Sequence, residues 1–181
     1  IIAKQIKQIE NLVNEFSDFA RMPKPILEDN NLVAIVNDSI KLLKALDENT
    51  DIIFDPLKDD IYFNSDSEQL SRVFFNLIKN SIESIQEKKQ NNPNYKGKID
   101  IDLKDNDAYI DFVIKDNGVG FGIFENNIKD ILNPYFTTKE KGTGLGLAIV
   151  NKIINDHYGS VSFKSLINGA EIQIKFKKQW V

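Results

Sequence analysis

Residues 98–116, KIDIDLKDNDAYIDFVIKD, limit the fold more than any other stretch of the chain. Apolar and polar residues alternate on both sides of a short polar break, so the stretch reads as two adjacent strands. A second pair, SVSFKSL and AEIQIKFK, closes the chain as a hairpin. Two shorter runs, DIIFDP and DIYFN, read as strands earlier in the sequence. Such strands each have one face to bury, and the helical segments between them supply the cover. Neighbouring strands of this kind pair antiparallel, which points to an α+β two-layer sandwich with a mixed, mostly antiparallel sheet packed on helices, not to a doubly wound parallel sheet.

The covering helices are marked by period and by caps. NLVAIVNDSIKLLKALDEN is amphipathic, and DSEQLSRVFFNLIKNSIESIQEKKQ is a long helix started by Asp66 or Ser65 as a cap. NNPNYKG follows as a loop. A third helix opens at the glycines of KGTGLGLAIV and runs to about Asp156. Between the central strands and that helix, roughly residues 117–142 have little periodicity apart from a short helical pattern at FENNIKDIL. Irregular segments of this length are uncommon in compact domains without a function.

The first segment is helical in another way. Ile2, Ile6, Ile9, Val13, Phe16 and Ala20 step by four and three residues, which makes a coiled-coil seam. Leu12 and Phe19 widen the stripe, and half of a dimerising helical hairpin is the preferred reading over a helix packed on its own domain. Pro23 and Pro25 end it. Three parts are expected: residues 1–22 as this helix, 23–31 as a linker, and 32–181 as the main domain.

Gly142, Gly144 and Gly146 alternate just before an apolar helix. The spacing is neither the G-x-G-x-x-G of a dinucleotide fold nor a P-loop, because no strand precedes it and no Lys-Ser/Thr follows it. The physics of anion binding at a helix N-terminus still applies, with Lys139 and Lys141 just upstream. A turn with a packing role alone is the rival reading. Three further stretches bear on the choice. In FFNLIKNSIESI, Asn76 and Asn80 lie four apart on one helix face, and an amide oxygen is a ligand Mg²⁺ accepts. In KDNGVGF, Asp116 ends an apolar strand, so its carboxylate needs a partner, and an adenine amino group would serve where guanine presents an acceptor. D-N-G is also a strong turn signal. In NPYFTTK, an aromatic residue and a lysine are placed to close over a nucleotide.

In this order, NLIKN, DNGVGF, NPYFTTK and GTGLGLAIV resemble the N, G1, F and G2 boxes of sensor histidine kinases, within the wider Bergerat-fold family of ATPases and kinases that includes gyrase, Hsp90 and MutL. The resemblance runs from about Asn31 to the end, and NEFSDFARMPKP is similar to the end of the dimerisation hairpin in NtrY-like nitrogen-regulation kinases. It implies an ATP site. Asn80 would ligate Mg²⁺, Asn76 would lie near metal and phosphates, and Asp116 would accept from adenine. Gly118 and Gly120 would shape the base pocket, and Gly142, Gly144 and Gly146 with the Leu145 and Leu147 amides would hold phosphates. Lys139 would reach the terminal phosphates, and residues 121–141 would form a lid.

The implied reaction is transfer of the ATP γ-phosphoryl to a histidine and then to an aspartate on a response-regulator receiver domain. The acceptor of such kinases lies on the first helix of the hairpin, and this sequence starts on what resembles the second. Its sole histidine, His157, is expected to be structural, near the C-terminal dipole of its helix. The parent kinase is expected to be a homodimer anchored in a bacterial inner membrane, with this part cytoplasmic and touching no membrane. Two positions depart from the family pattern: Glu83 replaces a common basic residue three after Asn80, and Ala170 replaces a threonine that helps hold adenine. A hydrolase of the same fold is the rival enzyme, but those relatives have a glutamate base where this chain has Asn76, and an amide takes no proton from water. A noncatalytic nucleotide-sensing dimerisation module is a third reading. Nucleic-acid binding is not expected from a net charge of −4 with no basic stripe. The absence of cysteine excludes disulfides, zinc thiolates and thiol nucleophiles.

Overall fold

The computed structural model describes residues 2–121, 131–134 and 143–178. In chain order these form α1 (Ile2–Ala20), β1 (Glu28–Asn31), α2 (Leu32–Lys44), β2 (Thr50–Phe54), β3 (Tyr62–Ser65), α3 (Ser67–Asn91), β4 (Gly97–Asp105), β5 (Tyr109–Asp116), α4 (Gly146–Asp156), β6 (Gly159–Leu166) and β7 (Gly169–Lys177). The main sheet has the order β2-β4-β5-β7-β6. All its neighbours are antiparallel except β2 and β4, which run parallel, Ile52 opposite Ile99. That parallel pair needs a crossover, and β3 with the 25-residue helix α3 supplies it.

Alternation decides which side is covered. Ile99, Ile101 and Leu103 of β4, Ile110, Phe112 and Ile114 of β5, and Ile172, Ile174 and Phe176 of β7 are buried in one core with α2, α3 and α4. Phe74 of α3 meets Phe112 with ring centroids 4.7 Å apart. The opposite face is polar and open, laced by pairs such as Lys115–Glu171 at 3.1 Å. This is the expected sandwich, with α2, α3 and α4 packed on one face of the sheet.

The expected linker is less plain than its sequence suggests. Its last four residues form β1, which pairs antiparallel with β3 as a separate two-stranded sheet, Glu28 opposite Ser65. The Asn31 side chain then caps α2, accepting from the Val33 amide at 3.0 Å. In α1 the seam residues Ile6, Ile9, Val13 and Phe16 stand exposed, whereas Phe19 and Met22 pack against the main core. Phe19 therefore serves the helix's own domain and does not broaden the outward seam.

One residue joins three elements. Asp66 caps α3 by accepting the Gln69 amide on Oδ1 at 3.0 Å, and accepts the Ile26 amide of the linker on Oδ2 at 2.9 Å. Its own backbone N–H donates to Nε2 of His157 at 3.0 Å, while Nδ1 of that ring lies 2.8 Å from the Ile153 carbonyl. An Nε2 that accepts leaves Nδ1–H as the donor, so the ring is the neutral Nδ1–H tautomer. His157 is 1% exposed and closes the C-terminus of α4. Its expected structural role is what the geometry gives it. His157→Ala leaves the Asp66 amide without its acceptor and empties the space of a buried ring, while the Ile153 carbonyl keeps the backbone N–H of residue 157 at 3.0 Å; a loss of about 2 kcal/mol is expected in denaturant unfolding.

Candidate functional site

Asp116 is the chemical centre of the candidate site. It keeps the phase of Ile110, Phe112 and Ile114, so it points to the helical side of the sheet and is only 8% exposed. Oδ1 accepts the Gly118 amide at 2.9 Å in a local turn, and Oδ2 accepts Ser81 Oγ of α3 at 3.1 Å. The turn reading and the buried-carboxylate reading of D-N-G are thus both realised in one structure. Burial pushes the Asp116 carboxyl above the usual carboxylate range, opposed by the Gly118 amide, Ser81, the Ala170 amide and the charge of Lys88. A carboxylate has about four acceptor positions, so the observed donors leave room for one more.

The residue after Asn80 is the Ser81 that holds this carboxylate, so Asn80 belongs to the same turn of α3 as that contact. Asn76 lies one turn earlier, and both side chains are partly exposed. Among the described residues neither amide makes a side-chain hydrogen bond to protein. Free amide oxygens fit a cation that takes few protein ligands and fills its shell with water and phosphate oxygens. No cluster of three or more His, Asp or Glu suited to a metal occurs among the described residues. Glu83 turns toward Lys79, with 3.9 Å between their charged atoms.

The glycines sort by geometry. Gly118 lies flat on α3, and a Cβ there would sit 2.3 Å from Ser84 Oγ. Gly120 has φ +74° and Gly144 has φ +69°, both in the region that side chains disfavour. Gly146 opens α4, and a Cβ built on it meets nothing within 4 Å. Leu145, buried, stands at the N-cap position without a side-chain cap, and Leu147 packs on the core. The Leu145 amide donates to Thr143 Oγ1 at 3.4 Å, and the first turn of α4 presents the positive end of the helix, where an anion is favoured. Lys139 and Gly142 lie outside the described residues, as do Lys141 and most of the expected lid at 121–141.

Sequence reasoning passed over two residues of this site. Ser81 reads as an ordinary helix serine until Asp116 is seen opposite it. Gly169, at φ +109°, starts β7 where an added Cβ would fall 1.8 Å from the Asp116 carbonyl oxygen. The adjacent Ala170 is buried and pairs with Asp116 across the sheet.

The family model described as histidine kinase-, DNA gyrase B- and HSP90-like ATPase matches residues 65–179. The chain belongs to this ATPase family. Its members are ATP-binding domains. Over 97% of its length the chain is 36% identical to a Rickettsia prowazekii protein named "Putative sensor histidine kinase NtrY-like". It is 32% identical, over 93% of its length, to the nitrogen regulation protein NtrY of Azorhizobium caulinodans. The chain spans only 28% and 21% of those two relatives. Among solved structures, the catalytic domain of histidine kinase ThkA superposes with a TM-score of 0.72 at 26% identity, covering 84% of this chain and 95% of that one. ThkA in complex with the response regulator TrrA matches in fold over 99% of this chain and 50% of that chain, with a TM-score of 0.79 at 24% identity. No helix among the described residues is long and apolar enough to cross a membrane.

Proposed function

We propose that this chain is the ATP-binding catalytic part of an NtrY-like sensor histidine kinase, preceded by one helix of its dimerisation hairpin. The observation that carries the reading is Asp116: a buried carboxylate at a strand end, tied through Ser81 to the turn of α3 that holds Asn80. On this reading Asp116 accepts the adenine amino group, and Gly118 and Gly120 let the backbone lie against the base. Asn80 offers its amide oxygen to Mg²⁺, with Asn76 nearby. The amides of Leu145 and Leu147, with Gly142, Gly144 and Gly146, receive the phosphates, and Lys139 reaches the terminal one. Residues 1–22, 23–31 and 32–181 are the hairpin helix, linker and catalytic domain.

Phosphoryl transfer asks the protein mainly to position and neutralise. His157 cannot be the acceptor, since it is buried with both ring nitrogens engaged. The acceptor histidine belongs to the hairpin of the intact kinase, a homodimer, and the phosphoryl group passes on to a receiver-domain aspartate. The complex of ThkA with a response regulator supports that partner class. The intact kinase is anchored in a bacterial inner membrane, with this part in the cytoplasm. Asn76 supports transfer over hydrolysis, because an amide is no general base.

Calorimetric titration with a nonhydrolysable ATP analogue and Mg²⁺ tests the reading. Saturable one-to-one binding is expected, much poorer for the GTP analogue. Asn80→Ala should weaken the Mg²⁺-dependent part about tenfold. Folded wild-type protein that binds neither nucleotide would overturn the reading.

A further inference from the structure

The turn that presents Asp116 is gripped from outside the pocket, by residues that none of the four sequence boxes includes. Lys88 Nζ, near the end of α3, donates to the Asn117 carbonyl at 2.9 Å and the Gly118 carbonyl at 3.0 Å. The Tyr95 hydroxyl, from the loop after α3, donates to the same Asn117 carbonyl at 2.7 Å. The Lys88 ammonium stands 4.6 Å from the centre of the Tyr95 ring, so each helps hold the other. Asn117 adds a lateral tie: its side chain accepts from the Lys98 amide at 2.8 Å and donates to the Lys96 carbonyl at 2.9 Å.

The peptide bond turns this grip into aim. In a planar trans peptide the C=O and N–H point in opposite directions. With the Asn117 carbonyl held on Lys88 and Tyr95, the N–H of the same peptide unit, that of Gly118, is directed at Asp116 Oδ1. With the Gly118 carbonyl on Lys88, the Val119 N–H is directed at Ser84 Oγ, 3.0 Å away. Two carbonyl contacts on the outer side thus set two amide directions on the inner side.

We propose that Lys88 and Tyr95 are positioning residues for base recognition, clamping the 117–118 and 118–119 peptides so that Asp116 is held in the orientation that reads adenine. The proposal rests on the adenine reading above. The clamp touches no nucleotide and acts only through the turn. The charge of Lys88 also favours the ionised form of Asp116.

The test uses the chain with Lys88→Met, Lys88→Arg and Tyr95→Phe, titrated with the ATP and GTP analogues and Mg²⁺, with amide hydrogen exchange at Gly118 and Val119. Lys88→Met should bind the ATP analogue about tenfold more weakly, as loss of charge-assisted hydrogen bonds does. Its adenine-over-guanine preference should fall, and both amides should exchange faster. Lys88→Arg, still a cationic donor, should lose less affinity than Lys88→Met. Tyr95→Phe removes one hydroxyl and carries the test if Lys88→Met fails to fold. Folded variants with unchanged nucleotide preference would overturn the proposal, as would Lys88→Arg proving as weak as Lys88→Met. Failure of the wild type to bind the ATP analogue would instead remove the adenine reading, and this proposal with it.

Discussion

Asp116→Asn should cost about a hundredfold in affinity for an ATP analogue, because the amide sets a donor against the adenine amino group in a buried place. The same variant should be no less stable than the parent at pH 7. Burial holds the carboxyl of Asp116 above its ordinary value of 3.8, so the folded chain binds that proton more tightly than the unfolded chain does. A group shifted in this direction favours folding below its unfolded pKa, and that contribution is lost as pH rises through the folded pKa. At neutral pH the ionised side chain is therefore a net burden on the ligand-free fold. Asparagine removes it, since its carbonyl can take the Gly118 amide and Ser81 Oγ can turn to accept. Thermal unfolding of both forms from pH 7 to pH 4 checks this. The variant should match or exceed wild type at pH 7, with the gap closing as pH falls. A Tm well below wild type at pH 7 would mean that the carboxylate holds the fold together, and its role would have to be rethought.

Gly169→Ala should be the most damaging single methyl in the described structure. The new Cβ would meet the Asp116 carbonyl oxygen at 1.8 Å, and φ +109° is itself hostile to a side chain. Neither β5 nor β7 can move away alone, because their register runs from Tyr109 opposite Lys177 to Asp116 opposite Ala170. The combined strain is expected to cost about 4 kcal/mol, or about 10 °C in Tm for a domain of this size. Nucleotide affinity should fall with it, since the displaced backbone is that of Asp116. Chemical denaturation and calorimetry on one preparation separate the two effects. Unchanged stability would show that the hairpin can pivot away at little cost.

The sequence makes the sandwich readable because one face of each central strand is apolar at every second residue. The same alternation carries Asp116 inward, and the four-residue spacing of Asn76 and Asn80 puts both on one helix face. Period says which face is buried but not which strand lies alongside, so the parallel pairing of β2 with β4 is invisible until α3 is seen to bridge them. β1 is missed for a different reason. Its four residues, EDNN, have no apolar period, and only the neighbouring β3 makes them a strand. The clamp residues and Gly169 fail in the same way. Lys88 looks like a solvated lysine near a helix end and Tyr95 like a loop aromatic, and what they hold lies 22 to 30 residues further along the chain. Gly169 looks like any hairpin glycine until the Asp116 carbonyl is found beneath it.

The joint at Asp66 limits how this protein can vary. Serine, threonine, asparagine and aspartate are all good helix caps, and a cap alone would let the position drift among them. Here the two carboxylate oxygens have separate employers, one the helix that carries Asn76 and Asn80, the other the strand-linker that leads back to α1. Serine has one oxygen and asparagine only one acceptor, so either would satisfy the helix and release the linker. A residue that looks interchangeable from the standpoint of folding is thus fixed by the need to keep two parts of the chain in register, and the tolerance of position 66 is narrower than its capping role implies.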